Sequence, residues 1–330
     1  MILPTDPSNS IENTVDSARI HGNTQDNTIS NSGANASINS GTGNDSITNS
    51  GDYVSIYGGA GDDTISNTGD NVKIYSSIGA DFIDNTGNNV YIYNAKGNDS
   101  IINTGDNVTI SNSDSVSNGY IVNRGDNISI TSSGDDLITN YGYGVTIFST
   151  GKGSIFNTGG EAYFYSSSAT LDSITNTGDN VSINSAANNI TNTGSNVRIS
   201  PGGTVNNIIS LSGEAYNCTV TPGRGDDLIY SNGKGNYFSF TYNNGANTIQ
   251  GFSPGNDIII APSATSISSA VVDSDTTLTI AQDGKTSTTI LLPGVSSGTV
   301  KVKSSDNQYV GLITIGSADA VLVSDLTGGW

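Results

Sequence analysis

Residues 58–66 read GGAGDDTIS, residues 67–75 read NTGDNVKIY, and these two nine-residue patterns alternate along the chain as an 18-residue unit. A fixed short period of this kind dictates a stack of equivalent coils, because each copy is too small to bury its apolar residues alone. The NTGDNVKIY pattern recurs as NTVDSARIH (13–21), NSGANASIN (31–39), NSGDYVSIY (49–57), NTGNNVYIY (85–93), NTGDNVTIS (103–111), NRGDNISIT (123–131), NTGDNVSIN (176–184) and NTGSNVRIS (192–200). The alternate pattern recurs as GNTQDNTIS (22–30), SGTGNDSIT (40–48), SSIGADFID (76–84), NAKGNDSII (94–102), TSSGDDLIT (131–139), PGRGDDLIY (222–230) and YNNGANTIQ (242–250).

Each half-unit has only a few residues of strand character, with Val72 and Ile74 flanking Lys73 and Val90 and Ile92 flanking Tyr91. That period of two turns one face inward. The intervening Gly, Asn, Asp, Ser and Thr are turn residues. No stretch has helical periodicity. The sequence therefore predicts an all-β fold, a parallel β-roll or β-solenoid with coils of about 18 residues and a C-terminal β-rich cap. Ile47, Ile65, Ile83 and Ile101 should stack as one internal ladder, and Ile56, Ile74, Ile92 and Ile110 as the facing one. Asn49, Asn67, Asn85 and Asn103 should stack at a turn through their amides. The neighbouring Gly51, Gly69, Gly87 and Gly105 are expected at positive φ.

At this point the chain resembles the RTX family, the hemolysin-type calcium-binding nonapeptide proteins. The likeness covers 13–250 as a periodicity and is complete as a motif only at 58–66, through Gly58, Gly59, Gly61 and Asp63. Partial matches keep Gly43 and Asp45, Gly79 and Asp81, Gly97 and Asp99, Gly134 and Asp136, and Gly225 and Asp227. The resemblance implies a parallel β-roll with calcium between adjacent turns, held by the motif Asp and backbone carbonyls. It also implies type I secretion through an uncleaved C-terminal signal. The chain departs from the family in its second half-unit, where Val72, Val90 and Val108 replace the motif Asp. A valine cannot ligate calcium, so only one edge can carry ions. The expected ligands are Asp45, Gly58, Gly59, Gly61, Asp63, Asp81, Asp99, Asp136 and Asp227, with partial rather than full calcium loading.

The sequence divides into a lead-in at 1–12, the repeats at 13–250 and a different C-terminal region at 251–330. That last region has longer alternating runs, TLTIAQ (277–282), STTILLP (287–293), TVKVK (299–303) and YVGLITI (309–315), with hairpin punctuation at Asp283-Gly284. It is expected to cover the open end of the stack, and its tail ADAVLVSDLTGGW to serve as an export signal. The opening MILPTDPSNS has neither the basic nor the apolar stretch of a signal peptide, and no apolar run reaches membrane-spanning length.

The formal net charge is −19, and of 30 acidic residues only Glu12, Glu161 and Glu214 are Glu. Asp-rich acid belongs to turns and calcium loops rather than helix surfaces. The sign excludes nucleic acid and anionic membranes as expected partners. The single Cys218 reads as a small buried residue and His21 as a surface member of the Tyr57 and Tyr75 column. The acid pairs Asp62-Asp63, Asp135-Asp136 and Asp226-Asp227 fit turn or calcium positions better than acid–base catalysis, so no enzyme is expected.

One further candidate is aromatic. Tyr57, Tyr75 and Tyr93 share a register, each following an inward Ile, and Phe148 and Tyr165 return to that column. They are either a stiffening ladder or a platform for sugar rings or a partner. The Thr68, Thr86 and Thr104 column is too narrow for an ice-binding face. The functional expectation is a secreted, extracellular structural or adhesive solenoid, an adhesin acting at a bacterial surface or in a matrix and self-associating. Its expected partners are calcium ions and glycans or other cell-surface components. The alternative is a polysaccharide-binding or polysaccharide-modifying module.

Overall fold

The computed structural model describes residues 9–330 except 167–170, 186, 242–243, 255, 262–263, 265, 282–285, 304–308, 317–320 and 323–330. Every regular element among the described residues is a β-strand. The protein is an all-β parallel β-solenoid with coils of about 18 residues, as Ile29↔Ile47↔Ile65↔Ile83↔Ile101 stand in register one coil apart. The chain forms two compact units, residues 1–169 and 170–330.

Among the described residues of the first unit, eighteen strands, two per coil, make nine coils. One sheet holds the x-Ile-x-Asn strands, such as Thr64–Asn67 and Phe82–Asn85, and is called here the asparagine sheet. The other holds strands such as Ser55–Ala60, Lys73–Ile78 and Tyr91–Asn94 and is called the tyrosine sheet. Within each sheet the strands pair in parallel with no slip along these coils. Both isoleucine ladders are buried, and so is the column Val54, Val72, Val90 and Val108. Each fully buried Ile contributes on the order of 1.5–3 kcal/mol relative to an exposed one. No coil could cover these side chains without its neighbours.

The asparagine column closes one corner of every coil. From Asn13 to Asn157 each Nδ2 donates to Oδ1 of the next coil's Asn at 2.6–2.9 Å. The same nitrogen also donates to the carbonyl two residues on, as Asn67 does to Gly69 at 2.8 Å. Buried amides are thus satisfied along the axis without water.

The glycines beside this column are not at positive φ. That conformation falls on the next turn residues, Asn35, Tyr53, Asn71, Asn89, Asn107 and Asn127, with φ of 56–60°. Gly69 is required for a different reason: a Cβ there would lie 2.1 Å from the Gly51 carbonyl oxygen. The coils approach too closely for any side chain, so the glycine supplies room rather than handedness. On the opposite edge Gly43, Gly61, Gly79 and Gly97 do take positive φ.

The second unit repeats the plan. Leu171–Asn176, Ala187–Asn192, Ile208–Leu211, Leu228–Ser231 and Ala246–Gln250 pair in parallel. So do Ser182–Asn184, Arg198–Ile199, Thr219–Val220, Tyr237–Ser239 and Ile258–Ile260. Here Cys218 is buried and accepts from Asn192 Nδ2 at 3.4 Å. Beyond residue 260 the pairing turns antiparallel. Ser266–Val272 folds onto Asp275–Ala281, with Asp273 at φ 56° in the turn, and Asp275–Ala281 onto Thr288–Leu292. Thr299–Lys303 pairs antiparallel with Tyr309–Thr314. Thr288–Leu292 and Thr299–Lys303 dock in parallel on the last coil strands, Ala246–Gln250 and Ile258–Ile260. Asp283-Gly284 and, apart from Val321 and Leu322, the tail from 317 lie outside the described residues.

Candidate functional site

The two corners of each coil have different chemistry. Where the asparagine corner has Val72 beside Asn67, the other has Asp63 beside Gly58. The motif aspartates Asp45, Asp63, Asp81, Asp99 and Asp136 are buried, with 1–2 % of their surface exposed, as is Asp227 in the second unit. They point into the coil rather than out to solvent.

One oxygen of each carboxylate belongs to the fold. Asp63 Oδ1 accepts the Asp45 N–H at 2.9 Å, Asp81 Oδ1 that of Asp63 at 2.9 Å, and Asp99 Oδ1 that of Asp81 at 2.7 Å. Asn27 heads this run by donating its N–H to Asp45 Oδ1 at 2.7 Å. Asn207 donates to Asp227 Oδ1 in the same way at 2.7 Å. The second oxygen is another matter. Oδ2 of Asp45, Asp63, Asp81 and Asp227 is buried with no hydrogen-bond partner.

Burial pushes Asp63 up to about 7 from an ordinary 3.8, with the charges of Asp81, Asp45 and Asp62 adding to it against the pull of the Asp45 N–H. Burial likewise pushes Asp81 up to about 6, helped by the Asp99 charge and opposed by the Asp63 N–H. Asp99 and Asp227 are also raised, first by burial. A stack of desolvated like charges favours either a proton or a cation.

The donor set fits a hard cation: carboxylate oxygens, one unpaired in each of three successive coils, with carbonyls nearby. The Ser76 carbonyl oxygen lies 3.0 Å from where a Gly58 Cβ would stand, and Asp63 Oδ2 lies 2.6 Å from that point. Gly58, Gly59 and Gly61 sit at this turn, with Gly59 and Gly61 at φ 100° and 130°. Among the described residues no three His, Cys, Asp or Glu side chains converge as a metal-binding group. Carbonyls would therefore have to complete any coordination.

The acid pairs separate into an inner and an outer member. Asp63 is buried, whereas Asp62 Oδ1 lies on the surface and accepts the Ala80 N–H at 2.8 Å. On the opposite edge Asp52 accepts from Asp70 N–H and Asp70 from Asn88 N–H, at 2.8 and 2.7 Å. Asn44 and Asn88 accept from Asp62 and Asp106 N–H in the same way, so the short Asp or Asn side chain suits this bond, which accounts for Asp in place of Glu.

The tyrosine column lies on the outer face of the tyrosine sheet. Tyr57 and Tyr75 stack with centroids 4.9 Å apart and planes at 6°. Tyr93 breaks the flat run, tilting by 53° at 6.3 Å from Tyr75, and its hydroxyl accepts from Ser113 Oγ at 3.3 Å. Tyr91, which the sequence reading did not single out, joins at 6.2 Å from Tyr75. Tyr57 is 40 % exposed. Phe148 and Tyr165 stack again further along, at 5.4 Å. His21 stands in the same register as Asn39 and Tyr57.

A second outward apolar surface was also not singled out. On the asparagine sheet Phe82, Tyr120, Leu137 and Phe156 are exposed, 36–45 % each. Register places Tyr120 beside Leu137, and Val122 and Thr139 in line with Phe156. Val122 and Thr139 face outward yet are buried, so their neighbours cover them. The signal was in the sequence as apolar residues flanking the inward Ile, at positions held by Ser or Thr in earlier coils. Asp257 was also missed. It is fully buried in the valine-equivalent corner of the second unit and accepts from Asn236 N–H at 3.0 Å and Ser253 N–H at 2.9 Å. Its segment FSPGNDIII (252–260) fits the nonapeptide spacing but was assigned to the C-terminal region.

Compared with known proteins, the chain matches no family model and no curated sequence.

Proposed function

We propose that the protein is a secreted, non-enzymatic structural or adhesive solenoid that acts at a bacterial surface or in an extracellular matrix. The observation that carries this reading is the in-register aromatic strip of Tyr57, Tyr75 and Tyr93 on an outer sheet face, joined from the next column by Tyr91. Burying these rings inside would serve stability better, and a coil needs only Ser or Thr at such positions, as at Ser111 and Thr131. Attachment through large rigid rings gives contact area at low entropic cost.

Calcium belongs to the same reading as a stabilising ion at the acidic corner. Asp45, Asp63 and Asp81 would hold it with their unpaired Oδ2 atoms, and Asp227 in the second unit. When bound, the ion supplies the positive charge that stacked buried carboxylates lack. The resemblance to RTX proteins supports both this role and export by type I secretion.

The polysaccharide-binding alternative is favoured by one observation, the nearly coplanar Tyr57–Tyr75 pair, since a flat two-ring surface suits a sugar ring. The deciding experiment replaces Tyr57, Tyr75 and Tyr93 together with Ser. The adhesive reading expects a folded variant with native circular dichroism and lost attachment to cells or matrix, without loss of soluble-glycan binding. Loss of binding on a glycan array favours the alternative. A variant that melts earlier but attaches as before would reduce the strip to a stiffening ladder and overturn both.

A further inference from the structure

The acidic corner is not uniform from coil to coil. The difference lies in the inward residue that faces the carboxylate from the end of the tyrosine-sheet strand. At Asp63 that residue is Gly58, which offers no donor. At Asp45 it is Ser40, whose one hydroxyl proton goes to the Gly58 carbonyl. At Asp81 it is Ser76, close enough to lower the carboxyl, but its one proton goes to Asn94 Oδ1. In all three coils Asp Oδ2 is left without a partner.

Two coils differ. Asn94 Nδ2 donates directly to Asp99 Oδ2. Asp136 Oδ2 accepts from Asn112 Nδ2 at 2.8 Å and from Ser132 Oγ at 2.6 Å. Asn94, Asn112 and Ser132 occupy one register column, which places all three in the position of Gly58 and Ser76. The second unit offers an independent case. Pro222, which has no side-chain donor, heads the half-unit of Asp227, and Asp227 Oδ2 is again unpartnered.

We propose that this facing residue decides which coils take a cation. Asn94 and the Asn112–Ser132 pair act as built-in substitutes for the ion, while Gly58, Ser40, Ser76 and Pro222 leave the carboxylate to bind one. The inference rests on the calcium reading above and refines it. A buried carboxylate oxygen must be met by a donor or a positive charge. An amide at hydrogen-bond distance fills both the space and the lone pair that calcium would use. The first unit therefore loads calcium along the run Asp45–Asp63–Asp81 and stops at Asp99, and Asp136 remains metal-free.

The test counts calcium bound to the full chain, by equilibrium dialysis and titration calorimetry with calcium chloride after chelator treatment. Asn94→Gly combined with Ser76→Gly should add one calcium, at Asp99, because Gly58 in this position leaves Asp63 Oδ2 unpaired and the second change removes the Ser76 hydroxyl that Asn94 otherwise engages, and the calcium-induced rise in melting midpoint should grow. Ser76→Asn should remove one. Should that double variant fail to fold, Asn112→Ala with Ser132→Gly asks the same question at Asp136, and Ser76→Asn remains as the loss-of-site arm. Wild-type protein that binds no calcium overturns the calcium reading and this proposal with it. Wild-type binding with an unchanged count in the variants overturns the facing-residue rule alone.

Discussion

The backbone N–H of Asp45 donates to Asp63 Oδ1 at 2.9 Å, while the other oxygen of the same carboxylate is sealed in the coil without a partner. One side chain thus holds two coils together and keeps an electrostatic liability. The hydrogen bond fixes the carboxylate in place. It cannot satisfy the second oxygen, and burial dominates the acid's behaviour.

Stability in calcium-free buffer should fall as pH rises. Asp63 and Asp81 hold their protons at about 7 and about 6 in the fold, against an ordinary 3.8 in the unfolded chain. Their contribution is complete below about pH 4 and is lost as pH climbs through 6 to 7. The melting midpoint with chelator should be lower at pH 8 than at pH 5. Asp63→Asn should flatten that fall, whereas Asp62→Asn, the same charge change at an exposed site, should flatten it far less, since it removes only the smallest of the causes that raise Asp63. Equal effects of the two would assign the slope to the net charge of −19.

Asn85→Leu should destabilise the first unit by on the order of 1–3 kcal/mol. It removes donors to Asn103 Oδ1 and the Gly87 carbonyl and strands Asn67 Nδ2 from its acceptor. Denaturant unfolding at fixed pH measures it. A change within about 0.5 kcal/mol, the usual range for surface sites, would mean that the amide ladder contributes nothing net.

Gly69→Ala should cost about 1–3 kcal/mol or more, because a Cβ 2.1 Å from the Gly51 carbonyl forces neighbouring coils apart. The measurement is the unfolding midpoint beside wild type. A neutral result would mean that adjacent coils separate easily at this corner.

Tyr53→Asn should stabilise by about 0.5–1 kcal/mol. Tyr53 is an exposed bulky residue at φ 60°, in a column where Asn35, Asn71, Asn89, Asn107 and Asn127 take similar angles. Asn tolerates this conformation better. Loss of stability instead would show that the Tyr53 ring makes a contact worth more than the strain.

The coil was legible from the sequence because its signals are periodic. Ile65 and Ile74 mark the two inward ladders, Asn67 the turn, and Val72 the corner that cannot hold a cation. The glycine error at Gly69 has a physical cause: sequence reports that a side chain is forbidden, and both handedness and crowding forbid one. The interior pairing at the acidic corner was not legible. Whether Asp99 is satisfied depends on Asn94 across the coil, and on where the Ser76 proton goes. The Phe82–Phe156 face was hidden for another reason, since apolar residues next to the inward Ile read as added strand character rather than as a surface. Register slips such as Ser132, four residues rather than five before Asp136, also blur the alignment on which the corner depends.

The neighbouring acids Asp62 and Asp63 face opposite ways along the stack. Asp62 accepts from Ala80 of the following coil, and Asp63 accepts from Asp45 of the preceding one. Every such turn therefore carries a plug for one neighbour and a socket for the other, both specified within a single repeat. Whole repeats can then be duplicated or deleted without redesigning the junction, and coils of 17 and 20 residues keep it too, as Lys152 N–H does with Asp135 Oδ1 and Asn118 N–H with Asn98 Oδ1. For a chain of this kind length is the variable open to selection, and it changes in steps of one coil.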